Sequence, residues 1–522
     1  MFRNSRREFL NEVGQGMFLA SVGSPLALDL GLCRPGVANE GPSRINFGKM
    51  EPLVALMQDT PPAKLQPMLI EKLRSGMQLS ELVSAAALAN ARTFGGEDYV
   101  GFHTMMALHP AYIMSRELPR ERQALPVLKV LYRNSSRMQE TGGSSHEILK
   151  PVVPSVSAAG KANGEVLRSI VRGNDPKKLA KADALLAAMT VDSPEAAYNE
   201  MLTMVEDGAE VHRVVLAYRA WDMLQMVGKE HAQTMLRQSV HYCVKTETPG
   251  QVTYYSGMRA LLPKLLDRYA LIGKPLGTRA AEDGWIEKMS MTFFQSSPDQ
   301  AADAAAAALA EGMAPAAVGE AICLAANQLV LRDNGRPRQE SAYKPVGSVH
   351  GDGIGVHASD SANAWRHIAA ISNQRNTVAS LILGAYQVAR DRGARAAEFL
   401  KWEAYPRADA RAKVTSSDPA TLLKEADGAI REKDQARACA VVARYGELGH
   451  AARPMFDVML GYATSEDGAL HAEKYYRTVS DEFATMRPAF RWRQLVALAR
   501  VTASEYGQPA PGLAEAREML GV

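Results

Sequence analysis

Histidine is the residue type whose placement in this chain points most directly to chemistry. Four of its eleven histidines occupy matching positions in two similar stretches. His103 and His357 each follow an apolar residue, and His212 and His471 each lie just after a Glu-Asp-Gly-Ala run. The spacings are close, since 212 − 103 = 109 residues and 471 − 357 = 114. Neutral imidazoles bind transition metals and act as general bases, so four at one place would form a metal or catalytic site.

The similarity extends beyond the histidines and predicts an internal duplication. Its matches keep the same order along the chain, with offsets of 236 to 260 residues. Further matches pair residues 75–77 with 311–313, 88–89 with 324–325, 175–183 with 418–427, and 237–240 with 493–496. A period near 250 residues is too long for a solenoid repeat, which favours two similar halves about a pseudo-two-fold axis. The alternative is chance similarity between alanine-rich helices.

The densest group of polar residues lies in the second half, between His350 and Asp360. It contains His350, Asp352, His357 and Asp360, with three glycines between the two histidines. Two imidazoles with carboxylates on a tightly turning backbone suit a divalent metal site or a general base, such as His357 paired with Asp360. A glycine-rich turn capped by aspartate is the alternative. We expect any site to centre here, with the other marker histidines around it.

The corresponding first-half segment holds Glu97, His103 and His109. His103 and His109 are six residues apart and cannot share a helical face, so His103 is the stronger candidate ligand. A third segment, Gly-Gly-Ser-Ser before His146-Glu147, has no histidine counterpart in the second half. His146 is therefore a candidate catalytic residue that would break the symmetry, or a residue of a surface loop.

The predicted metal ligands are His103, His212, His350, His357, His471 and Asp352, and the predicted catalytic residues are His357, Asp360 and His146. No H-E-x-x-H, helical E-x-x-H, G-x-S-x-G or P-loop motif occurs, which argues against zincins, ferritin-type di-iron proteins, serine hydrolases and P-loop NTPases. Iron, copper or zinc would suit a histidine-rich site. A non-covalent haem on one axial histidine is a further possibility.

The N-terminus resembles a twin-arginine export signal. Ser5-Arg6-Arg7-Glu8-Phe9-Leu10 fits the pattern Ser/Thr-Arg-Arg-x-Phe-Leu, and a short apolar stretch follows from Met17 to Leu28. That stretch is too short to span a membrane as a mature helix. The resemblance implies the twin-arginine export machinery as a partner and a periplasmic or exported location, membrane-tethered if the leader is uncleaved. It also implies export in the folded state, often with a cofactor already inserted.

The rest of the chain predicts an all-α fold of about twenty helices, taking ~11–15 residues per helix. Apolar residues recur at three- and four-residue spacing, and strand patterns with hairpin turns are nearly absent. We expect a leader and linker at 1–45, a first helical half at 46–290 and a second at 291–522. The net charge of +3 gives no one-sided basic surface for nucleic acid.

One local pattern resembles a known family. Gly355-Val356-His357-Ala358, followed by Ala362-Asn363-Ala364-Trp365, is similar to the histidine-bearing, alanine-rich helices of questin-oxidase-like proteins. Those proteins are large and all-helical, so the resemblance implies the same fold class. It assigns no role to any residue of this chain.

Three hypotheses follow for function. The first is an exported metalloenzyme, an oxidoreductase acting on a small molecule, in which His103, His212, His357 and His471 converge between the halves. Its metal would activate water or dioxygen with Asp352, Asp360 or Glu97 as carboxylate partners. The second is a non-enzymatic helical scaffold or binding protein. The third is a metal-free hydrolase or lyase that uses a His–Asp general base.

Overall fold

A computed structural model describes residues 44–155, 163–342 and 344–522 of the chain, apart from the side chain of Ala394. Within these ranges the secondary structure is helical with three isolated β-bridges and no strand, so the predicted all-α class is confirmed. The twin-arginine-like leader lies outside the described residues. None of the described helices has both the length and the apolar character needed to cross a membrane.

The helices before residue 270 are α1 (Glu51–Asp59), α2 (Pro62–Arg74), α3 (Leu79–Phe94), α4 (Tyr99–Ser115), α5 (Ala124–Thr141), α6 (Asn163–Arg172), α7 (Lys178–Asp192), α8 (Pro194–Val205), α9 (Val211–Asp222), α10 (Leu224–Val227), α11 (Ala232–Thr246) and α12 (Pro249–Arg268). Short 3₁₀ turns connect several of them.

The helices after residue 270 are α13 (Asp283–Gln295), α14 (Pro298–Ala310), α15 (Pro315–Arg332), α16 (Ile354–Ile371), α17 (Gln374–Asp391), α18 (Ala396–Phe399), α19 (Ala408–Arg411), α20 (Pro419–Arg431), α21 (Gln435–Glu447), α22 (Ala452–Ser465), α23 (His471–Thr485), α24 (Pro488–Glu505) and α25 (Leu513–Leu520). They number more than the expected twenty partly because α10, α18 and α19 span only one turn each.

Several helices begin at residue types that commonly cap helices. Ser193, Ser297 and Asp418 each accept a backbone N–H of the first turn, and proline follows each of them. Asp175 does not cap a helix in this way. Its side chain accepts the backbone N–H of Lys177 in the turn that precedes α7, and α7 begins at Lys178.

Helices in the two halves make corresponding contacts. α3 packs on α1, α4 and α5, and α15 packs on α13, α16 and α17. Likewise α9 packs on α4, α8 and α11, while α23 packs on α16, α22 and α24. An internal duplication about a pseudo-two-fold axis would produce this pattern. The duplication itself stays a prediction.

Contacts between the halves are made chiefly by four helices. α4 packs on α23 and α9 packs on α16, in addition to the pairs α4–α9 and α16–α23 within each half. Residues 46–522 group into one compact unit, and no boundary near residue 290 divides them. The proposed halves therefore share one packed body, and the junction of α4, α9, α16 and α23 lies within it.

A candidate four-histidine site

Four helices bring their N-terminal turns together at this junction. His471 is the first residue of α23, His212 the second of α9, His357 the fourth of α16 and His103 the fifth of α4. Helical side chains lean toward the N-terminus of their helix. The four imidazoles consequently gather at the helix ends, although their positions span residues 103 to 471.

The rings form two close pairs that lie against each other. The Nε2 atoms of His103 and His212 are 3.3 Å apart, and those of His357 and His471 are 3.1 Å apart. Between the pairs, the ring centroids of His103 and His471 are 5.3 Å apart and those of His212 and His357 are 5.8 Å apart. Each pair contains one histidine from α4 or α16 and one from α9 or α23.

Hydrogen bonds fix the tautomers of the first pair. His103 Nδ1 lies 2.7 Å from the carbonyl oxygen of Tyr99, which can only accept, so this nitrogen carries a proton. His212 Nδ1 lies 2.6 Å from Oε1 of Glu210 and donates to that carboxylate. When both rings are neutral, each Nε2 presents a lone pair to the other. Two facing lone pairs repel each other, so a metal ion or a proton between the two Nε2 atoms would make this arrangement favourable.

Glu210 holds His212 in place through several contacts. It caps α9 by accepting the backbone N–H groups of His212 and Arg213, and it accepts the Tyr242 hydroxyl at 2.7 Å. Although burial raises the pKa of Glu210, the hydrogen bonds from His212 lower it to about 2. An ionised carboxylate behind a ligand histidine is the usual second layer of a protein metal site.

The second pair is held differently. His471 is 2% exposed, and its Nδ1 has no hydrogen-bond partner among the described residues. The two preceding residues, Ala469 and Leu470, adopt left-handed backbone conformations with φ of 48° and 66°. Such a conformation is strained in residues other than glycine and is concentrated at functional sites.

The environment favours the neutral form of three histidines, His103, His357 and His471. Burial, followed by the charge of Lys474, lowers the pKa of His357 to about 3. The same two causes, in the same order, lower the pKa of His103 and of His471. A histidine binds a metal ion only in its neutral form, so these rings are in the right protonation state at neutral pH.

Aromatic residues line the outer side of the first pair. The Tyr99 ring lies 4.3 Å from the His103 ring and is 59% exposed. The Phe102 ring lies 5.0 Å from that of His103 and 5.2 Å from that of His212. The cluster is therefore close to the surface on the Tyr99 side.

His350 and Asp352 lie beside the four rings and make other contacts. His350 is buried, with Nδ1 3.4 Å from Asp352 Oδ1, and Asp352 is held by both Arg336 and Lys344. A Cβ added at Gly351, between them, would lie 2.4 Å from Cβ of His471. This loop packs against the cluster, and the expectation that a site centres on residues 350–360 stays a prediction.

The structure does not bring Asp360 to His357. No hydrogen bond or ion pair joins them in the described chain; Asp360 accepts from Thr478 at 2.8 Å, and burial raises its pKa. Glu97 pairs with His241 at 2.9 Å. The predicted His357–Asp360 base is therefore not formed.

His146 lies away from the cluster. It is exposed and follows a 3₁₀ turn whose backbone binds Asp59 of α1. No described contact joins it to the four rings, which leaves its proposed catalytic role without support.

Sequence reasoning missed Glu210, Tyr99 and Lys474. Glu210 stands two residues before His212, a common position for a helix cap, and this was the only available signal. Lys474 stands three residues after His471, which places both on one helical face. The sequence could not show that either residue meets the cluster.

No protein-family model, curated protein or solved structure matches this chain. In the described part of the chain, no three or more histidine, cysteine, aspartate or glutamate side chains are arranged as a formed metal site. The four histidines therefore stand as two pairs.

Proposed function

We propose that the four histidines bind one transition-metal ion, and that the protein is an exported metalloprotein acting on a small molecule through metal-activated water or dioxygen. The observation that carries the proposal is the pairing of Nε2 atoms, with the opposite nitrogens of His103 and His212 engaged in hydrogen bonds. Export rests on the twin-arginine resemblance alone.

The distances suit four-coordinate nitrogen ligation. Metal–nitrogen bonds of about 2.05 Å in a tetrahedron separate the nitrogens by about 3.3 Å and the ring centroids by about 5.2 Å. The two Nε2–Nε2 distances are 3.3 and 3.1 Å. Centroids of adjacent rings are 4.8 and 5.1 Å apart within the pairs and 5.3 and 5.8 Å apart between them. Binding one ion would require the two pairs to turn toward a common centre.

The ligand set narrows the choice of metal and cofactor. Four neutral imidazoles suit zinc, copper or iron, whereas magnesium and calcium prefer oxygen. A haem would need an imidazole nitrogen facing an open pocket, but each Nε2 in the cluster faces another imidazole. The geometry thus favours a single ion over haem.

Metal titration of the full chain tests the proposal. The chain, stripped with a chelator, is loaded separately with Zn²⁺, Cu²⁺ and Co²⁺, and bound metal is measured by elemental analysis after gel filtration. We expect one ion per chain, and a visible Co²⁺ spectrum typical of four-coordinate nitrogen ligation. The variants His103→Ala and His357→Ala should each lose stoichiometric binding.

His450→Ala provides the matched control, because the His450 ring contacts the carbonyl of Ser417 at 3.1 Å and the Tyr445 ring, and none of the four cluster histidines in the described structure. Its variant should bind metal as the wild type does. Failure of the wild type to retain any of the three metals would contradict the proposal. It would favour a scaffold in which each histidine pair shares a proton.

A further inference from the structure

A second candidate site is a cavity of about 530 Å³ in the second half of the chain, and none of the four histidines lines it. Its walls come from α13, α15, α19, α21 and α24 and from residues 404–406, which follow α18. Two of the lining residues, Glu447 and Ala489, are exposed, so a molecule can enter from solvent. Small molecules commonly bind in pockets of about 300–1,000 Å³ that combine apolar walls with a few fixed polar groups.

One of the three arginines that line this cavity carries a charge that no carboxylate balances. Arg411 pairs with Glu447 at 2.8 Å. Arg493 pairs with Glu287, also at 2.8 Å. Arg332 has no ion pair in the described chain, and burial lowers its pKa with no neighbouring carboxylate to offset the effect. The lining of the cavity therefore holds one positive charge in excess.

The Arg332 side chain is held in position by its neighbours and keeps one donor group free. Its Nε donates to Oε1 of Gln328 at 3.0 Å, and its Nη1 donates to the carbonyl oxygen of Trp402 at 2.8 Å. The guanidinium carbon lies 5.4 Å from the centre of the buried Phe294 ring. No acceptor for Nη2 is found among the described residues. Because the guanidinium is already positioned, it can bind an anion with little further loss of side-chain freedom.

An indole ring and several small residues shape the apolar wall of the cavity. The Trp492 ring packs edge-on against the Phe483 ring, with 5.4 Å between the ring centroids. A Cβ added at Gly446 would lie 2.4 Å from Cδ2 of Trp492, so the absence of a side chain there lets the indole lie against α21. Ala443 and Ala489 take up little of the remaining space. The cavity thus offers room for a flat apolar group together with an unpaired arginine.

We propose that this cavity binds an aromatic monocarboxylate, whose carboxylate accepts a hydrogen bond from Nη2 of Arg332 and whose ring system lies against Trp492. A single negative charge matches the one positive charge in excess in the lining. The planar guanidinium favours a carboxylate because its N–H donors match the geometry of the two oxygens. An aromatic body suits the indole wall because aromatic rings attract each other beyond the burial of their surface. The site is independent of the proposed metal centre.

Calorimetric titration of the full chain with 2-naphthoate tests the proposal. We expect saturable binding at one site per chain, and binding about tenfold weaker or more for 2-naphthamide, which lacks the charge. Arg332→Gln should weaken 2-naphthoate binding by about tenfold or more, because a charge-assisted hydrogen bond is lost. Arg332→Lys, which keeps the charge without the planar donors, should lie between. Arg268→Gln, at an exposed arginine paired with Asp303, is the control and should bind 2-naphthoate like the wild type.

A second pair of variants tests where 2-naphthoate binds. Ala489 is exposed and lies in the first turn of α24, so Ala489→Leu should leave the fold intact while filling part of the cavity that Ala489 lines. We expect it to weaken binding by about tenfold or more. Ala484→Leu, at an exposed position of α23 outside the lining, should bind like the wild type.

Three results would overturn the proposal. The first is wild-type protein that binds no 2-naphthoate. The second is unchanged affinity for 2-naphthoate in either Arg332→Gln or Ala489→Leu. The third is binding of inorganic phosphate as tight as that of 2-naphthoate, which would show that the apolar wall takes no part in recognition.

Discussion

At the scale of single residues, the first histidine pair is the better supported of the two. The proton on His103 Nδ1 is held by a backbone carbonyl and that on His212 Nδ1 by the Glu210 carboxylate. Both hydrogen bonds direct a lone pair on Nε2 toward the opposite ring. Because the orientation is fixed before any ligand binds, this pair requires little ordering to coordinate an ion.

Replacing the carboxylate behind His212 tests this role. Glu210→Gln keeps the size and can still accept backbone N–H groups, but it removes the negative charge that makes His212 a better ligand. We expect metal affinity to fall about 10- to 100-fold, measured by competition with a chelator of known affinity. The matched control is Glu195→Gln, at an exposed first-turn glutamate of α8. Equal affinity in wild type and Glu210→Gln would contradict the assignment.

Acid dependence provides a second measurement on the same variant. The folded-state pKa of Glu210 is about 2, below its usual 4.5. Between pH 2 and pH 4.5 the unfolded chain binds more protons at this carboxyl group than the folded chain does. The contribution of Glu210 to stability is therefore present above pH 4.5 and lost as the pH falls toward 2. Chemical unfolding of the metal-free protein should therefore show a smaller loss of stability on acidification in Glu210→Gln than in wild type.

At the scale of elements, close helix packing sets the position of the rings. Gly101 and Gly355 each stand two residues before a cluster histidine. A Cβ at Gly101 would lie 2.5 Å from the Phe94 ring, and one at Gly355 would lie 2.6 Å from the backbone of Val330. The absence of a side chain allows α4 to approach α3 and α16 to approach α15.

Adding a methyl group at Gly355 should therefore displace α16. The Val330 backbone cannot rotate away, so we expect Gly355→Ala to cost about 1–3 kcal/mol of stability and to weaken metal binding by moving His357. Urea unfolding and metal competition measure the two effects. Gly461→Ala, inside α22 with open space around the glycine, is the control and should be neutral or slightly stabilising. A Gly355→Ala variant as stable as wild type would show that α16 has room to shift.

The elements also show what the sequence could and could not predict. Apolar periodicity predicted the all-helical fold, and the repeated flanks singled out the four histidines that the structure brings together. Asp352 was expected to be a ligand because glycine-rich loops with histidine and aspartate suit metals. The structure instead places it against Arg336 and Lys344, and such ion pairs depend on the packing of a loop that residue spacing does not determine.

At the scale of the whole molecule, the four histidines link the two proposed halves. His103 and His212 come from one and His357 and His471 from the other, and all four meet where α4, α9, α16 and α23 pack. An ion shared by both pairs would bind the folded chain and not the unfolded one, because consecutive ligands are 109, 145 and 114 residues apart in the sequence. Metal binding should then stabilise the whole body cooperatively.

Denaturant unfolding with and without metal tests this coupling. With free metal at a hundred times its dissociation constant, the free energy of unfolding should rise by about 2.7 kcal/mol. His103→Ala and His471→Ala, one from each half, should each remove most of this gain, since either loss breaks one pair and leaves the ion with an incomplete ligand set. A gain that survives in His471→Ala but disappears in His103→Ala would mean that the metal binds the first pair alone. In that case the two pairs act separately, and only His103 and His212 bind the metal.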